Sequence, residues 1–458
     1  MSEISTTSTP EIKKNPSVKE LFNQLLELEP KPIASFVLTN ASEQKTLFLS
    51  GEIRNPNHVY GKLDVIDFAD NSKKITKIGD ELISHPEVPS KYAEAYSQFV
   101  QNYLNKTRFM ELAYDFKHAD SPEEVSAIKI EFMQRNIESF GEPDELTYRS
   151  LLGEKIAKIK GKDLSERGSS IREDLLALVG DTELESDERF RPSQETIEWI
   201  KDVAESLYGN LLEHVPDQES FSDQDIKVIF EEILITEFGE VLKDEENGIT
   251  EGWEVAIEDA QSINVKAAEK KLVIPVGREV DFKTMRGLVV HEIGVHFLRS
   301  VMGEQTDLLP FKLGLSEYYD TEEGLGAVME QALVGEYREA GADHYITAGL
   351  AYFGKKDFRD TFEVKWRLAL LSSMKGNPTP EDIEKAQVAA YGATMRIERG
   401  TDELPWFKDL SYYNGSAEVW KHLESIQGDD IEFTLSLLGK GNSASPAHRR
   451  IMLETATV

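Results

Sequence analysis

The chain of 458 residues contains no cysteine and no long hydrophobic run. Without cysteine, the protein cannot form disulfide bonds, bind zinc through thiolates or use a thiol as a nucleophile. No apolar run approaches the roughly 18 residues that a membrane-spanning helix needs, so a membrane is not an expected partner. The first residues carry neither a basic segment nor an apolar one. We therefore expect no secretory signal and predict a cytoplasmic protein.

Positive charge is also scarce, since 51 Lys and Arg residues stand against 84 Asp and Glu residues and the net charge is −33. Binding to a phosphate backbone requires a basic surface, so nucleic acid is not an expected partner. An acidic peptide would also be repelled unless the protein offers it a local basic patch. Hydrophobic residues make up 40% of the chain, which is enough to form a sizeable core. These properties are typical of a soluble enzyme.

The segment from His291 to His296, with the sequence HEIGVH, carries the strongest chemical signal. Two neutral imidazoles and one carboxylate are the side chains with which zinc hydrolases hold the metal and move a proton. In the common HExxH motif the histidines are four residues apart, whereas here they are five apart. On a regular α-helix, side chains five apart differ by about 140° and point to different sides. The segment therefore predicts either a π-bulge that brings both histidines together, eased by Gly294, or a regular buried helix with two unrelated histidines.

A zinc site of this type needs a third protein ligand, and Glu323 follows His296 by 27 residues. A glutamate on a second helix downstream completes the ligand set in one large class of zinc peptidases. The same segment also fits the start of a helix, with Asp320 as the N-cap and Glu323 closing a capping box. The two interpretations are compatible, and both predict a helix here.

Together these segments resemble the microtubule-associated tyrosine carboxypeptidase family, whose bacterial relatives are described as flavohaemoglobin expression-modulating QEGLA-motif proteins. The resemblance extends from about residue 20 to about residue 425. Two residues depart from the QEGLA motif, because Glu322 stands in place of Gln and Gly326 in place of Ala. The matching segments are residues 49–57 (LSGEIRNPN), 288–299 (LVVHEIGVHFLR), 321–325 (TEEGL), 396–400 (RIERG) and 407–412 (FKDLSY).

The resemblance implies a zinc metallopeptidase, more narrowly a carboxypeptidase that removes the C-terminal residue of a peptide or protein. It implies one zinc ion per chain, with His291, His296 and Glu323 as its ligands. It also implies that Glu292 is the catalytic carboxylate, which takes a proton from water and passes it to the leaving amine. Glu322 is a second carboxylate next to the implied ligand, so it is an alternative ligand.

Such a reaction also needs a donor for the oxyanion and a cation for the terminal carboxylate. Tyr412 and His344 are candidates for the donor, and Tyr412 is preferred because it lies in a matching segment. Arg396 and Arg399 are candidates for binding the carboxylate. Core packing of Tyr412 and salt bridges of the two arginines are the competing explanations.

A second hypothesis from another class is a non-catalytic regulatory or binding protein that retains the fold of the metal site. The name of the bacterial relatives refers to modulated expression and not to a reaction. The intact carboxylate at Glu292 favours the enzyme, because a protein without catalysis has no need of a proton acceptor at that position. Peptidase activity with and without a chelator would separate the two hypotheses.

The predicted fold class is α+β and mainly helical. We predict a disordered tail over residues 1–15, an N-terminal mainly helical region over residues 16–219 and a zincin-like catalytic domain over residues 220–458. The N-terminal assignment rests on apolar residues at helical spacing, which begin at Val18. The polar and Ser/Thr-rich composition of the first residues predicts the disordered tail.

A small antiparallel sheet is predicted just before the metal helix. Residues 253–257 alternate in part between apolar and polar side chains, as a half-buried strand does, and residues 263–265 continue this pattern. Residues 271–276 form a further predicted strand. Pro275 lacks a backbone N–H, which favours an edge position for that strand. In zincin peptidases such an edge can pair with an extended substrate.

Overall fold

The computed structural model of the chain describes residues 16–28, 38–61, 63–180, 189–239, 252–260, 262–304, 308–315, 318–373, 377–401 and 404–429. The predicted disordered tail, residues 1–15, lies outside the described residues, as does the end of the predicted catalytic domain. Within the described ranges the fold is mainly helical with small sheets, as predicted. None of the described helices combines the length and the apolar character that crossing a membrane requires.

Helices make up the first half of the described chain, and several of them begin at a residue whose side chain caps the helix. The Ser17 hydroxyl accepts a hydrogen bond from the backbone N–H of Glu20, and the Glu20 carboxylate accepts one from the backbone N–H of Ser17, so a capping box starts the first helix. Ser121 and Ser193 likewise accept a bond from the third residue of their helices. The helices are α1 (Val18–Glu27), α2 (Ala41–Leu49), α3 (Phe68–Ile83), α4 (Ala93–His118), α5 (Pro122–Phe140), α6 (Glu145–Lys160), α7 (Glu166–Val179), α8 (Gln194–Leu207) and α9 (Gly209–Glu213).

The second half combines short strands with helices. Its elements are β1 (Ser220–Phe221), α10 (Asp223–Phe238), β2 (Glu254–Glu258), β3 (Asn264–Lys266), β4 (Lys271–Pro275), β5 (Val280–Asp281), α11 (Phe282–Leu288), a π-helix (Val289–Phe297), α12 (Leu298–Glu304), α13 (Tyr318–Val334), α14 (Ala342–Tyr352), α15 (Phe358–Ser373), α16 (Pro380–Glu398) and α17 (Ser411–Ser425). Single 3₁₀ turns are Ser90–Tyr92, Ala267–Glu269, Leu309–Lys312 and Lys408–Leu410.

The three predicted strands exist, but the sheet they form is mixed and not antiparallel. The strand order is β2-β4-β3, with β2 parallel and β3 antiparallel to β4. The prediction of an edge position for Pro275 is therefore wrong, because β4 is the central strand. Pro275 is tolerated because it is the last residue of β4, opposite Glu258. The fully buried run Leu272–Ile274 is typical of a strand covered on both faces.

The hydrophobic cores contain residues from both sides of the predicted boundary between 219 and 220. Ile200 of α8 and Tyr208 belong to one core with Ile293 of the π-helix and Val328 of α13. Phe48 of α2 belongs to another core, together with residues of α15 and α16. The division into two domains stays a prediction, and the helix that carries the two histidines is anchored by residues of both regions.

Candidate metal centre

The two histidines of the sequence motif lie on a π-helix. Residues 282–304 form one continuous helical run in which Val289–Phe297 has π geometry, so the predicted widening is confirmed and extends over more than a single bulge. In a π-helix the backbone bonds join residues five apart, so His291 and His296 lie on neighbouring turns of one face. Their ring centroids are 4.8 Å apart. The alternative of a regular helix with the imidazoles on different sides is wrong.

Gly294 of the motif is required by packing against an aromatic ring. A Cβ atom at this position would lie 2.7 Å from Cε1 of Tyr208, which is closer than side chains pack. Tyr208 is buried at the junction of α8 and α9. The glycine thus lets the π-helix lie directly on this ring, which fixes the helix that carries both histidines.

A carboxylate from a second helix meets the two imidazoles. Oε2 of Glu323 lies 3.9 Å from Nε2 of His291 and 3.9 Å from Nε2 of His296. One ligand atom from each residue falls within a group in which all the distances are at most 4.8 Å, so the three residues could hold a metal ion. A tetrahedral zinc ion with ligand distances of about 2.0–2.2 Å keeps its ligands about 3.3–3.6 Å apart. Small side-chain movements would therefore close this triad around an ion.

Helix α13 carries Glu323, and it begins earlier than the capping interpretation requires. The helix starts at Tyr318, so Asp320 lies inside its first turn and is not the N-cap. The capping box proposed for Asp320 and Glu323 is wrong, and Glu323 is left available to the histidines. The start of the helix was predicted too late in the chain, because an Asp followed three residues later by a Glu also occurs inside the acidic first turn of a helix.

The remaining nitrogen of each imidazole is bound by another carboxylate of α13. Nδ1 of His291 donates to Oε1 of Glu330 at 2.7 Å, and Nδ1 of His296 donates to Oε1 of Glu322 at 2.8 Å. A carboxylate can only accept, so these bonds place a proton on Nδ1 and turn Nε2 toward the triad. This orientation is the one that metal-binding histidines adopt. Glu322, the alternative ligand, thus supports His296 and lies outside the triad.

The pKa values of two groups at the triad, His291 and Glu322, are strongly shifted. Burial opposes protonation of His291, but the bond and the charge of Glu330 outweigh this effect and raise its pKa to about 9. A metal ion would therefore have to displace a proton from this histidine. Burial likewise opposes ionisation of Glu322, yet Arg299 and the bond from His296 lower its pKa to about 2. Arg299 donates to Glu322 from Nε at 2.7 Å, and both side chains are buried.

Glu292 is buried beside the triad, and within the described part of the chain one of its carboxylate oxygens has no partner. Its residue exposure is 7%, and its Oε2 atom has no hydrogen-bond partner among the described residues. Burial raises the pKa of Glu292 to about 6, and the nearby imidazoles offset only part of that effect. A carboxylate whose pKa lies near neutrality can both take up and release a proton.

Tyr412, at the start of α17, lies close enough to Glu323 to be influenced by the charge of its carboxylate. The charge of Glu323 is the largest influence on its phenol, and together with burial it raises the pKa of Tyr412 well above its usual value. The ring centroids of Tyr412 and His344 are 5.8 Å apart, so both candidate donors belong to one cluster. Burial and the charge of Arg396 lower the pKa of His344 to about 4, which keeps this imidazole neutral.

The two candidate arginines are both engaged by the buried carboxylate of Asp409. Arg396 donates to Oδ1 of Asp409 from Nε and Nη2, and its Nη2 also lies 3.3 Å from the Tyr412 hydroxyl. Arg399 donates to Oδ2 at 2.6 Å. The side chain of Arg396 is 35% exposed and that of Arg399 only 13%. Both arginines form the salt bridges that were named as the competing explanation. Arg396 also contacts the hydroxyl of Tyr412, which the charge of Glu323 influences.

Helices α13 and α17 cross at two glycines, which brings Tyr412 close to Glu323. A Cβ atom at Gly324 would overlap the backbone of Gly415, and one at Gly415 would overlap the carbonyl oxygen of Asp320. Any side chain at either position would separate the helices. The glycine of the TEEGL segment thus has a structural explanation, since it allows the close crossing.

We expect Gly415→Ala to destabilise the protein by about 1–3 kcal/mol, because the added methyl group must push α17 away from α13. Chemical denaturation followed by circular dichroism measures this change. Gly392→Ala is the matched control, because Gly392 lies inside α16 with nothing within 4 Å of its Cβ position. The control should stabilise the helix by roughly 0.5–1 kcal/mol. Equal effects of the two substitutions would contradict the close crossing.

Gly326, which departs from the QEGLA motif, lies directly under the imidazole of His291. A Cβ atom there would lie 2.6 Å from Nε2 and 2.7 Å from Cδ2 of that ring. Alanine would require the ring to shift, so in this chain glycine at position 326 gives His291 its space. The departure from the motif therefore has a direct consequence for the triad.

The sequence prediction missed two residues of the site, Glu330 and Arg299. Glu330 lies seven residues after Glu323, which places both on one face of a helix, so helical spacing could have indicated it. Arg299 lies in the resembling segment and donates to the carbonyl oxygens of Phe311 and Lys312 as well as to Glu322. No spacing rule connects Arg299 to those carbonyls, because they lie on a separate 3₁₀ turn.

Each predicted ligand thus lies in one cluster with the predicted catalytic carboxylate, and Tyr412 and Arg396 border it. The resemblance to tyrosine carboxypeptidases stays a prediction that rests on the residues quoted above. No protein-family model, no curated protein and no solved structure matches the chain.

Proposed function

We propose that the protein is a zinc-dependent metallopeptidase, and more narrowly a carboxypeptidase that removes the C-terminal residue of a peptide or protein. One observation carries the proposal. Two imidazole nitrogens and a Glu323 oxygen converge beside the buried carboxylate of Glu292, whose Oε2 has no partner among the described residues. With His291, His296 and Glu323 as its only protein ligands, a bound zinc ion would keep one coordination position open, as catalytic zinc sites do.

The donor set fits zinc. Imidazole nitrogen and carboxylate oxygen are ligands that zinc prefers, and the Nδ1 bonds to Glu330 and Glu322 hold both imidazoles in the ligating orientation. When bound, zinc supplies Lewis acidity, which polarises a carbonyl group and makes water more acidic. The protein residues supply the remaining functions.

Glu292 takes the proton of the attacking water and passes it to the leaving amine. Tyr412 donates a hydrogen bond to the developing oxyanion. The charge of Glu323 raises the pKa of Tyr412, so this phenol keeps its proton at neutral pH and remains a donor. Arg396, which touches Tyr412 and is 35% exposed, binds the terminal carboxylate of the substrate. Arg399 is less exposed and supports Arg396 through their common partner Asp409.

A peptide library with randomised C-terminal residues tests this function. The zinc-loaded protein should shorten library peptides by one residue, and a chelator should abolish the cleavage, because the metal is required. Restored cleavage after zinc addition excludes damage to the fold as the cause, and mass spectrometry identifies the products. Stoichiometric zinc without cleavage of any peptide would favour the non-catalytic binding protein.

A further inference from the structure

Two carboxylates of α13 hold the histidines of the triad, but their charges are compensated differently. Glu322 exposes 3% of its side chain and lies 2.7 Å from Nε of Arg299, whose side chain is 8% exposed. Glu330 exposes 27% of its side chain, and its arginine partner is Arg338 at 3.2 Å, with 67% exposure. One histidine is thus bound by a carboxylate within a buried ion pair, and the other by a carboxylate whose arginine is in water.

This difference changes what each carboxylate does to its histidine. The buried arginine cancels much of the charge of Glu322, because solvent screens the pair little. The charge of Arg338 is screened by water, so it offsets the charge of Glu330 only weakly. An anionic acceptor on Nδ1 makes the opposite nitrogen of the imidazole a stronger ligand. His291 therefore receives more of this effect than His296.

The position of Glu330 on the helix supports the same conclusion. Glu323 and Glu330 are seven residues apart, so they lie on one face of α13 two turns apart. One rigid helix thus presents a ligand and the carboxylate that orients another ligand. Glu322 lies on a different face, where Arg299 joins it to the carbonyl oxygens of Phe311 and Lys312.

We propose that Glu330 is the positioning residue that sets metal affinity through His291, whereas Glu322 mainly maintains the fold through Arg299. The division of roles rests on the metal site of the proposed function and is independent of the hydrolysis step. Glu330 contributes its charge as well as its hydrogen bond. Glutamine at position 330 keeps an acceptor for Nδ1 and removes only the charge, so it separates the two contributions.

The test measures zinc affinity of the full chain by competition with a chromophoric chelator, after the metal has been removed. Glu330→Gln should weaken zinc binding about 10-fold and Glu330→Ala up to about 100-fold. Both variants should lower the Tm of the metal-free protein less than a change at Glu322 does, because Glu330 and Arg338 are more exposed than Glu322 and Arg299. Arg338→Ala is the matched control and should bind zinc no more weakly than wild type, because it leaves the charge of Glu330 intact.

Glu322→Gln should lower the Tm of the metal-free protein more strongly, because the buried guanidinium of Arg299 loses the negative charge with which it pairs. Cobalt substitution adds a readout that a purely structural role would leave unchanged, since the visible bands of cobalt should shift in Glu330→Gln. Wild-type zinc affinity and unshifted cobalt bands in both Glu330 variants would overturn the proposal. If the wild type itself took up no zinc, the proposed function would fail as well, and that result is distinct from the first.

Discussion

Glu292→Gln should bind zinc as the wild type does and lose about 10²–10⁴-fold in turnover. Glutamine has nearly the same shape and can still form hydrogen bonds, but it cannot accept the proton of the attacking water. Glu292 lies outside the triad, so the metal should stay in place. Elemental analysis measures the zinc, and the rate of cleavage of the best library peptide measures turnover.

Glu279→Gln is the control for this substitution, since Glu279 is an exposed glutamate shortly before α11. The control should retain wild-type zinc and wild-type turnover. Near-wild-type turnover in Glu292→Gln would exclude the proton transfer described here. Zinc lost together with activity would show that Glu292 supports the metal and is not only a proton acceptor.

The centre of the site could be predicted from the sequence because its geometry is local. Each residue of a regular helix advances about 100°, so histidines five apart can meet only if the helix widens. The π-helix over Val289–Phe297 is the outcome of that rule. Glu323 could be predicted as a partner because its residue type and its place on a later helix fit a zinc site.

The surroundings of the triad could not be predicted because they depend on packing between distant segments. The contact of Tyr208 with Gly294 joins residues on two sides of the predicted domain boundary. The exposure of Arg299 and Arg338, which distinguishes the two supporting carboxylates, is a property of the folded surface. No periodicity in the chain carries that information.

The pairing of the strands could not be predicted from the sequence either. The alternation of residues 253–257 and 263–265 indicates strands, but it does not specify the neighbour of each strand or the direction of pairing. Pro275 suggested an edge because it lacks a donor, yet its position at the end of β4 removes that conflict. The buried run Leu272–Ile274 was the better signal, since consecutive apolar residues are typical of a central strand.

Replacing any one ligand of the triad should remove the metal. The purified wild type should carry about one zinc ion per chain, and His291→Ala, His296→Ala and Glu323→Ala should each carry almost none. Two remaining ligands cannot offset the cost of removing water from the ion, and peptidase activity should be lost with the zinc. Inductively coupled plasma mass spectrometry measures the metal, and circular dichroism checks that the fold is retained.

His118→Ala is the control for the two histidine substitutions, because His118 ends α4 and stacks on Tyr114. It should retain wild-type zinc, which shows that the loss is specific to the triad. Full zinc in Glu323→Ala would remove Glu323 from the site, even though its oxygen is 3.9 Å from both Nε2 atoms. The metal would then need another carboxylate, and the neighbouring one is Glu322, whose Oε1 atom accepts from both His296 and Arg299. Because these two bonds hold Glu322 in place outside the triad, we expect the zinc to be lost and not transferred to Glu322.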